Sequence, residues 1–164
     1  MLRAPAAVVI VALLGAFALV HWPAALAPVF GKLGSTAKLF AAYLVAVPCH
    51  EWLHLLGYRL FGRVPRAAIR TEWHGVGALA RCDAPMSVRA YRWAIALPGL
   101  TLGLAPLIVG FAINHAWLAA FGAFATGAAM ADVGVLWALR GATAGSLVEL
   151  RLDLGGYCLQ SVSR

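Results

Sequence analysis

The sequence predicts an all-α polytopic membrane protein with four transmembrane helices and a small β-hairpin or strand element. Apolar residues make up 63% of the 164 residues and charged residues only 12%, a balance far outside that of soluble proteins. Four apolar stretches each have a length close to that of a membrane-spanning helix, which needs about 20 residues to cross a bilayer. Between and after them, alternating apolar and polar residues predict strands. We therefore expect a single membrane-embedded domain over residues 1–164.

The first span is predicted by an uncharged apolar run that follows Arg3 and ends before His21. A cleaved signal peptide is the alternative, because residues 25–27 (Ala-Leu-Ala) resemble a cleavage site. Pro28 directly after that site and the length of the run favour a retained helix. The predicted spans are residues 4–22, 37–60, 91–113 and 116–139, with a polar loop over 62–90 and a tail over 140–164.

Proline and glycine mark irregular points in the second and third spans. Pro48 is expected to kink the second span and to open room on one side of the helix. Pro98 and Pro106 predict bends in the third span. Gly99 and Gly103 have the Gly-x-x-x-Gly spacing that lets two helices pack closely.

Strand signals occupy the polar loop and the tail. Residues 69–74 alternate apolar and polar side chains, residues 75–77 (Gly-Val-Gly) suit a turn, and residues 78–80 suit a returning strand. A helix over this stretch would have to accommodate two glycines in one turn. The tail alternates strictly over residues 148–154, which predicts a further strand beside the hairpin, on the same side of the membrane.

The basic residues indicate membrane orientation rather than a nucleic-acid partner. Of the 13 Lys and Arg residues, all but Lys32 and Lys38 fall on one side of the predicted spans. The positive-inside rule then places both termini and the polar loop in the cytoplasm. The 3 cysteines include no Cys-x-x-Cys pair, so they indicate neither a disulfide framework nor a cysteine zinc site.

The second span contains the sequence His50-Glu51-Trp52-Leu53-His54. Two histidines four residues apart share one helix face and can offer two nitrogens to one metal ion. Glu51 points about 100° away from His50, near enough to take a proton from a water molecule that the metal activates. The alternative, two solvated histidines on a surface helix, is weak here because ionisable groups in a bilayer cost about 3 kcal/mol each.

Asp132, the acidic residue of the fourth span, is the predicted third ligand, because a catalytic zinc needs three protein ligands and one open position. With four spans, the second and fourth helices run in the same direction. Asp132 lies eight residues before Arg140, and His50 and His54 lie nine and five residues before Arg59. All three are therefore expected about 10 Å inside the same end of the helices. A structural hydrogen bond to a neighbouring helix is the alternative role for Asp132.

Five other residues are weaker ligand candidates. Two lie on the predicted hairpin, one lies in a solvated part of the loop, and two lie at the opposite membrane face. These are Glu72 and His74, Asp83, and His21 and His115, respectively.

The chain resembles two related groups of metallopeptidases. In the site-2 protease group of intramembrane metallopeptidases, His-Glu-x-x-His on one membrane helix is completed by an Asp on a later helix. More closely, the chain resembles the small bacterial membrane proteins called putative zincin peptidases, over about residues 40–155. The motifs that carry this likeness are His-Glu-x-x-His-x6-Phe-Gly at residues 50–62, Cys-x-x-Pro-hydrophobic at residues 82–86, and Ala131-Asp132 followed by an apolar stretch and Arg140.

The resemblance implies a site-2-protease-like core of three helices and a zinc metallopeptidase activity. The Zn2+ would be held by His50, His54 and Asp132, with Glu51 as the catalytic general base. The expected substrate is a membrane protein or membrane-bound peptide, cut in or near a transmembrane segment. The expected location is the lipid bilayer of the bacterial cytoplasmic membrane. In one departure from site-2 proteases, neither Gly nor Asn-Pro lies directly beside Asp132.

Two other functions remain open at this point. The same zinc site could hydrolyse a non-peptide substrate such as a lipid amide, or it could bind zinc in a non-catalytic membrane scaffold. A transporter is less favoured, because no internal repeat is evident in the sequence. A Glu51→Gln substitution separates catalysis from a structural site, because only catalysis depends on Glu51.

Overall fold

The computed structural model describes residues 3–74, 77–151 and 156–160. Two of the three predicted turn residues, Gly75 and Val76, lie outside the described residues, as do residues 152–154 of the predicted tail strand. The structure also does not describe the side chains of residues 3, 4, 23, 73–79 and 149–160.

Helices make up most of the described chain. Two are long and apolar enough to cross a membrane: Leu33–Leu60, and Val88–Ala112. The number rises to as many as four if each of two bent helix pairs, Pro5–His21 with Ala24–Phe30 and Ala116–Ala128 with Met130–Ala138, is one span. These lengths and compositions fit the predicted membrane protein. The helices are α1 (Arg3–His21), α2 (Ala27–Phe30), α3 (Leu33–Leu60), α4 (Val88–Pro98), α5 (Ala105–Ala112), α6 (Ala116–Ala128) and α7 (Met130–Ala138).

The structure differs at two of the prolines for which the sequence predicted a kink or bend, Pro48 and Pro98. Helix α3 is continuous across Pro48, so the proline lies inside one 28-residue helix. Between α4 and α5, by contrast, residues Gly99–Leu104 form a π-helical segment that begins directly after Pro98. A wider helical turn at this point accommodates the proline without ending the helix.

The strands form two small antiparallel sheets. Strands β1 (Ile69–His74) and β2 (Gly77–Cys82) pair with each other, which confirms the predicted hairpin. Strand β4 (Leu147–Arg151) lies between β3 (Met86–Ser87) and β5 (Gly156–Gln160). The tail strand was predicted to lie beside the hairpin. This prediction was wrong, because the tail strand pairs with β3 and β5 instead. Its start is instead bound to the start of α4, since the Val88 amide donates to the Ser146 carbonyl at 2.8 Å.

The chain divides into two compact units. Unit 1 consists of Met1–Val47 and Pro98–Ala131. In it, α6 packs against α5 and the π-helical segment through small residues. A Cβ added at Gly103 would lie 2.7 Å from Thr126 Oγ1, and one at Gly99 would lie 3.3 Å from the Ala129 Cβ. The Gly-x-x-x-Gly pair therefore has the close-packing role predicted for it.

Unit 2 consists of Pro48–Leu97 and Asp132–Arg164. Its core joins the C-terminal half of α3, helix α4, the end of α7 and the strands. The buried side chains of this core are Tyr58, Val64, Ala80, Cys82, Met86, Val88, Tyr91, Ala94, Ile95, Leu139 and Val148. Both strand elements are thus held against the two helices that carry the candidate site.

Candidate metal centre

Three side chains in unit 2 bring their metal-binding atoms together. His50 Nε2 lies 3.0 Å from Asp132 Oδ2, and His54 Nε2 lies 3.4 Å from Asp132 Oδ1. The two histidine Nε2 atoms are 3.2 Å apart. Among the described residues, these three form the one group of three or more His, Cys, Asp or Glu side chains that could hold a metal ion. The structure therefore brings together the three residues that the sequence singled out.

Helix α3 supplies two of the three side chains from consecutive turns. Its 3.6-residue repeat places His54 one turn beyond His50 on the same face, and the two rings meet edge to face with centroids 4.8 Å apart. His54 is buried, with 5% of its surface exposed. Its ring also stacks on Tyr58, one further turn along α3. Packing on both sides thus limits the rotation of the His54 ring.

The contact between α3 and α4 depends on a glycine. A Cβ added at Gly57 would lie 2.7 Å from the Ala94 Cα and 2.9 Å from the Ala94 Cβ, so any larger side chain would push the two helices apart. Gly57 is three residues after His54 and lies on the same side of α3. The close approach therefore brings the Ala94 carbonyl to the histidine.

The Ala94 carbonyl determines which nitrogen of His54 carries a proton. His54 Nδ1 lies 3.2 Å from the Ala94 carbonyl oxygen, and a carbonyl can only accept a hydrogen bond. Nδ1 must then be the donor, so a neutral His54 presents the lone pair of Nε2 to Asp132. Metal-binding histidines commonly donate their other ring N–H to a carbonyl in this way.

The donor set fits a zinc ion. A lone pair on His54 Nε2 facing the Asp132 carboxylate and His50 Nε2 is unfavourable unless positive charge lies among them. Tetrahedral zinc, with ligand distances of about 2.0–2.2 Å, separates neighbouring ligand atoms by about 3.3 Å. The two histidine Nε2 atoms, 3.2 Å apart, are close to that value. Each of them lies near a different oxygen of Asp132, at 3.0 Å for His50 and 3.4 Å for His54. Two imidazoles and one carboxylate are also a ligand set of catalytic zinc sites, which keep a fourth position open.

Glu51 is held by the hairpin. The Ala80 amide donates to Glu51 Oε2 at 2.8 Å. Ala80 pairs with Thr71 across the hairpin, and because its N–H is directed to Glu51, that N–H points away from β1. The outer edge of β2 therefore lies next to Glu51. Among the described residues, none donates a hydrogen bond to the other carboxylate oxygen, Oε1.

The weaker candidates take other roles. The carboxylate of Glu72 pairs with Arg81 within the hairpin, and Asp83 pairs with Arg70 at 3.1 Å. His115 caps the start of α6, because its Nδ1 accepts from the Leu118 amide at 3.2 Å. The remaining two are His21, which contacts the rings of Phe17 and Phe111, and His74, whose side chain is not among those described.

Three contributors to the site were not predicted from the sequence. Two are backbone groups, the Ala94 carbonyl and the Ala80 amide. Nearly every residue type carries these groups, so the sequence does not indicate which of them will be used. The third is Gly57, and its position three residues after His54 was a signal, since a small residue there permits close helix packing.

The chain matches a known family across the whole site. A family model described as putative zincin peptidase matches residues 43–147, which include both histidines, Glu51 and Asp132. No curated protein and no solved structure matches the chain.

Proposed function

This chain belongs to the putative zincin peptidase family, and on that basis we propose that it is a zinc-dependent metallopeptidase. We further propose that its substrate is a membrane protein, cut in or near a transmembrane segment. The observation that carries this proposal is the convergence of His50, His54 and Asp132. The histidines lie on a helix that is long and apolar enough to cross a membrane, and Asp132 lies on α7, which reaches that length only together with α6.

We assign His50, His54 and Asp132 as the metal ligands. A zinc ion held there would supply a Lewis acid that activates water and polarises the scissile carbonyl. His54 contributes a lone pair fixed in direction by its bond to Ala94, and Asp132 contributes the negative charge that the two neutral imidazoles lack. The site is partly accessible, as an open fourth position requires, since 18% of the His50 side chain and 17% of the Asp132 side chain are exposed.

We assign Glu51 as the general base. The Ala80 amide holds Oε2, so the carboxylate has one fixed oxygen and one, Oε1, that can accept the proton of the attacking water. The same oxygen can then deliver that proton to the leaving amine. A backbone donor suits this role because it orients the carboxylate without adding a second titrating group.

The outer edge of β2 offers a place for the substrate backbone. A helical substrate segment hides its carbonyls in hydrogen bonds and must become extended before attack. In the part of the chain that the structure describes, β2 pairs with β1 alone, so no other strand occupies its outer edge. We propose that an extended segment pairs there, beside the Ala80 amide that Glu51 already occupies. Because that edge lies next to Glu51, a peptide paired there would run past the base.

The decisive experiment compares membranes that carry wild type and Glu51→Gln. A full-length membrane protein should accumulate with the variant, because loss of a general base lowers turnover by about 10²–10⁴-fold. Zinc content of the purified variant should stay near that of wild type. Glu72→Gln is the matched control, because Glu72 lies on the hairpin and pairs with Arg81. A membrane proteome that is identical in all three would count against a peptidase, and loss of zinc in Glu51→Gln would indicate a structural role for this residue.

A further inference from the structure

Arg92 lies on α4 and binds the chain just beyond α7. Its Nη2 donates to the Leu139 carbonyl and to the Ala142 carbonyl, the latter at 3.0 Å. Both carbonyls follow Ala138, the last residue of α7. The Leu139 carbonyl also accepts from the Ala142 amide at 3.0 Å, which closes a turn directly after the helix. A cation near the end of a helix interacts favourably with the helix dipole. Arg92 therefore fastens the C-terminal end of α7 to α4.

Helix α4 contacts the histidine helix at the candidate metal centre and also the chain just beyond the helix that carries Asp132. Two residues after Arg92, the Ala94 carbonyl accepts from His54, and Ala94 also meets Gly57 of α3. At the other side, Arg92 holds the end of α7, and Asp132 lies seven residues before Leu139, about 10 Å along that helix. One helical turn of α4 thus bears on both the histidine pair and the helix that carries the carboxylate.

Resting on the proposed zinc site, we propose that Arg92 is a positioning residue that sets the place of Asp132 relative to the two histidines. The short side chain of Asp132 tolerates little displacement, because an oxygen must come within about 2.2 Å of zinc. Without the Arg92 bonds, the end of α7 loses its attachment to α4, and Asp132 can move away while the histidine pair stays in place.

Arg140 provides a matched comparison. It also donates to a carbonyl at the end of α7, from Nη1 to Trp137 at 3.0 Å. It is exposed, and its guanidinium lies 4.4 Å from the ring centroid of the same Trp137. Both contacts stay within three residues of Arg140, so within the described part of the chain Arg140 joins no second helix to α7. Both arginines flank apolar segments, and only Arg92 is expected to affect the metal.

The experiment measures zinc affinity of the full-length protein in detergent, by competition with a chromophoric chelator. We expect Arg92→Met to bind zinc about 10- to 100-fold more weakly than wild type, the range found when a residue that supports a ligand is removed. Arg140→Met should bind as wild type does. Arg92→Lys, which keeps the charge and one donor nitrogen, should fall between.

A second readout separates positioning from mere stability. With Co2+ in place of zinc, Arg92→Met should show weaker and shifted visible absorption bands, because one ligand is displaced. Lower thermal stability with unchanged zinc affinity and an unchanged Co2+ spectrum would overturn the proposal. If Arg92→Met does not fold, wild-type affinity and spectrum in Arg92→Lys would overturn it instead. If wild type itself binds no zinc, the proposed function fails as well, whereas a normal wild type with a normal Arg92→Met rejects the positioning role alone.

Discussion

In both units a glycine allows two helices to pack closely, but the contact has a different consequence in each. In unit 1, a Cβ at Gly122 would lie 2.4 Å from the Leu107 amide nitrogen, so α5 and α6 touch backbone to backbone. In unit 2, Gly57 allows the same closeness between α3 and α4, and there the α4 backbone at the contact includes a carbonyl that binds His54. Close packing without side chains thus stabilises a helix pair in one unit, and in the other it also supplies a polar group to the candidate metal centre.

The largest expected difference between the units is in zinc affinity, after substitution of a proposed metal ligand in unit 2. Asp132→Ala should lower zinc affinity by more than about 100-fold, because it removes one of three ligands. Loss of a residue that only supports a ligand costs at most about that much. Peptidase activity should fall below detection. Zinc content after dialysis against a chelator measures the first effect. Asp83→Ala, which removes an acid paired with Arg70, should leave the zinc content unchanged. Undiminished zinc in Asp132→Ala would remove Asp132 from the ligand set.

Glycine substitutions test whether the glycine contacts differ between the units. Gly57→Ala should weaken zinc binding about 10-fold or more, because α4 must move and carry the Ala94 carbonyl away from His54. Gly122→Ala should instead destabilise the protein by about 1–3 kcal/mol through overpacking, with zinc affinity of the folded protein unchanged. Thermal unfolding in detergent and chelator competition measure the two quantities. If Gly57→Ala changes only the stability, the two contacts are equivalent and the comparison fails.

The smallest effect is expected at the hairpin. Ala80→Pro removes the amide that holds Glu51, and because this N–H points away from β1, the pairing of the two strands should survive. Turnover should fall about 10-fold, the equivalent of one hydrogen bond to a charged group, with zinc affinity unchanged. Steady-state cleavage of a membrane substrate measures it, with Arg70→Ala as a control on the outside of the same hairpin. Wild-type turnover in Ala80→Pro would show that Glu51 needs no backbone donor.

The residues of the candidate metal centre could be predicted from the sequence alone. His50 and His54 were predictable because a helical repeat fixes their relation whatever surrounds them, and Asp132 because a lone acid in an apolar span needs a partner. The partner of the tail strand was not predictable. Alternation in β4 indicates a strand, but it does not say which strands it pairs with. In the structure these are β3 and β5, and the Val88 amide donates to the Ser146 carbonyl beside the β3 pairing.

By itself, the sequence determined the membrane-compatible helices, the hairpin and the spacing of the histidines, since each depends on local hydropathy or on a regular repeat. Only the tertiary structure decided that Ala94 fixes the proton on His54, that Ala80 holds Glu51, and that Arg92 binds the end of α7. These contacts join residues 29 to 50 positions apart, and each involves a backbone atom, which is the same in every residue type. Their presence depends on how closely two elements approach, and a packed structure alone determines that distance.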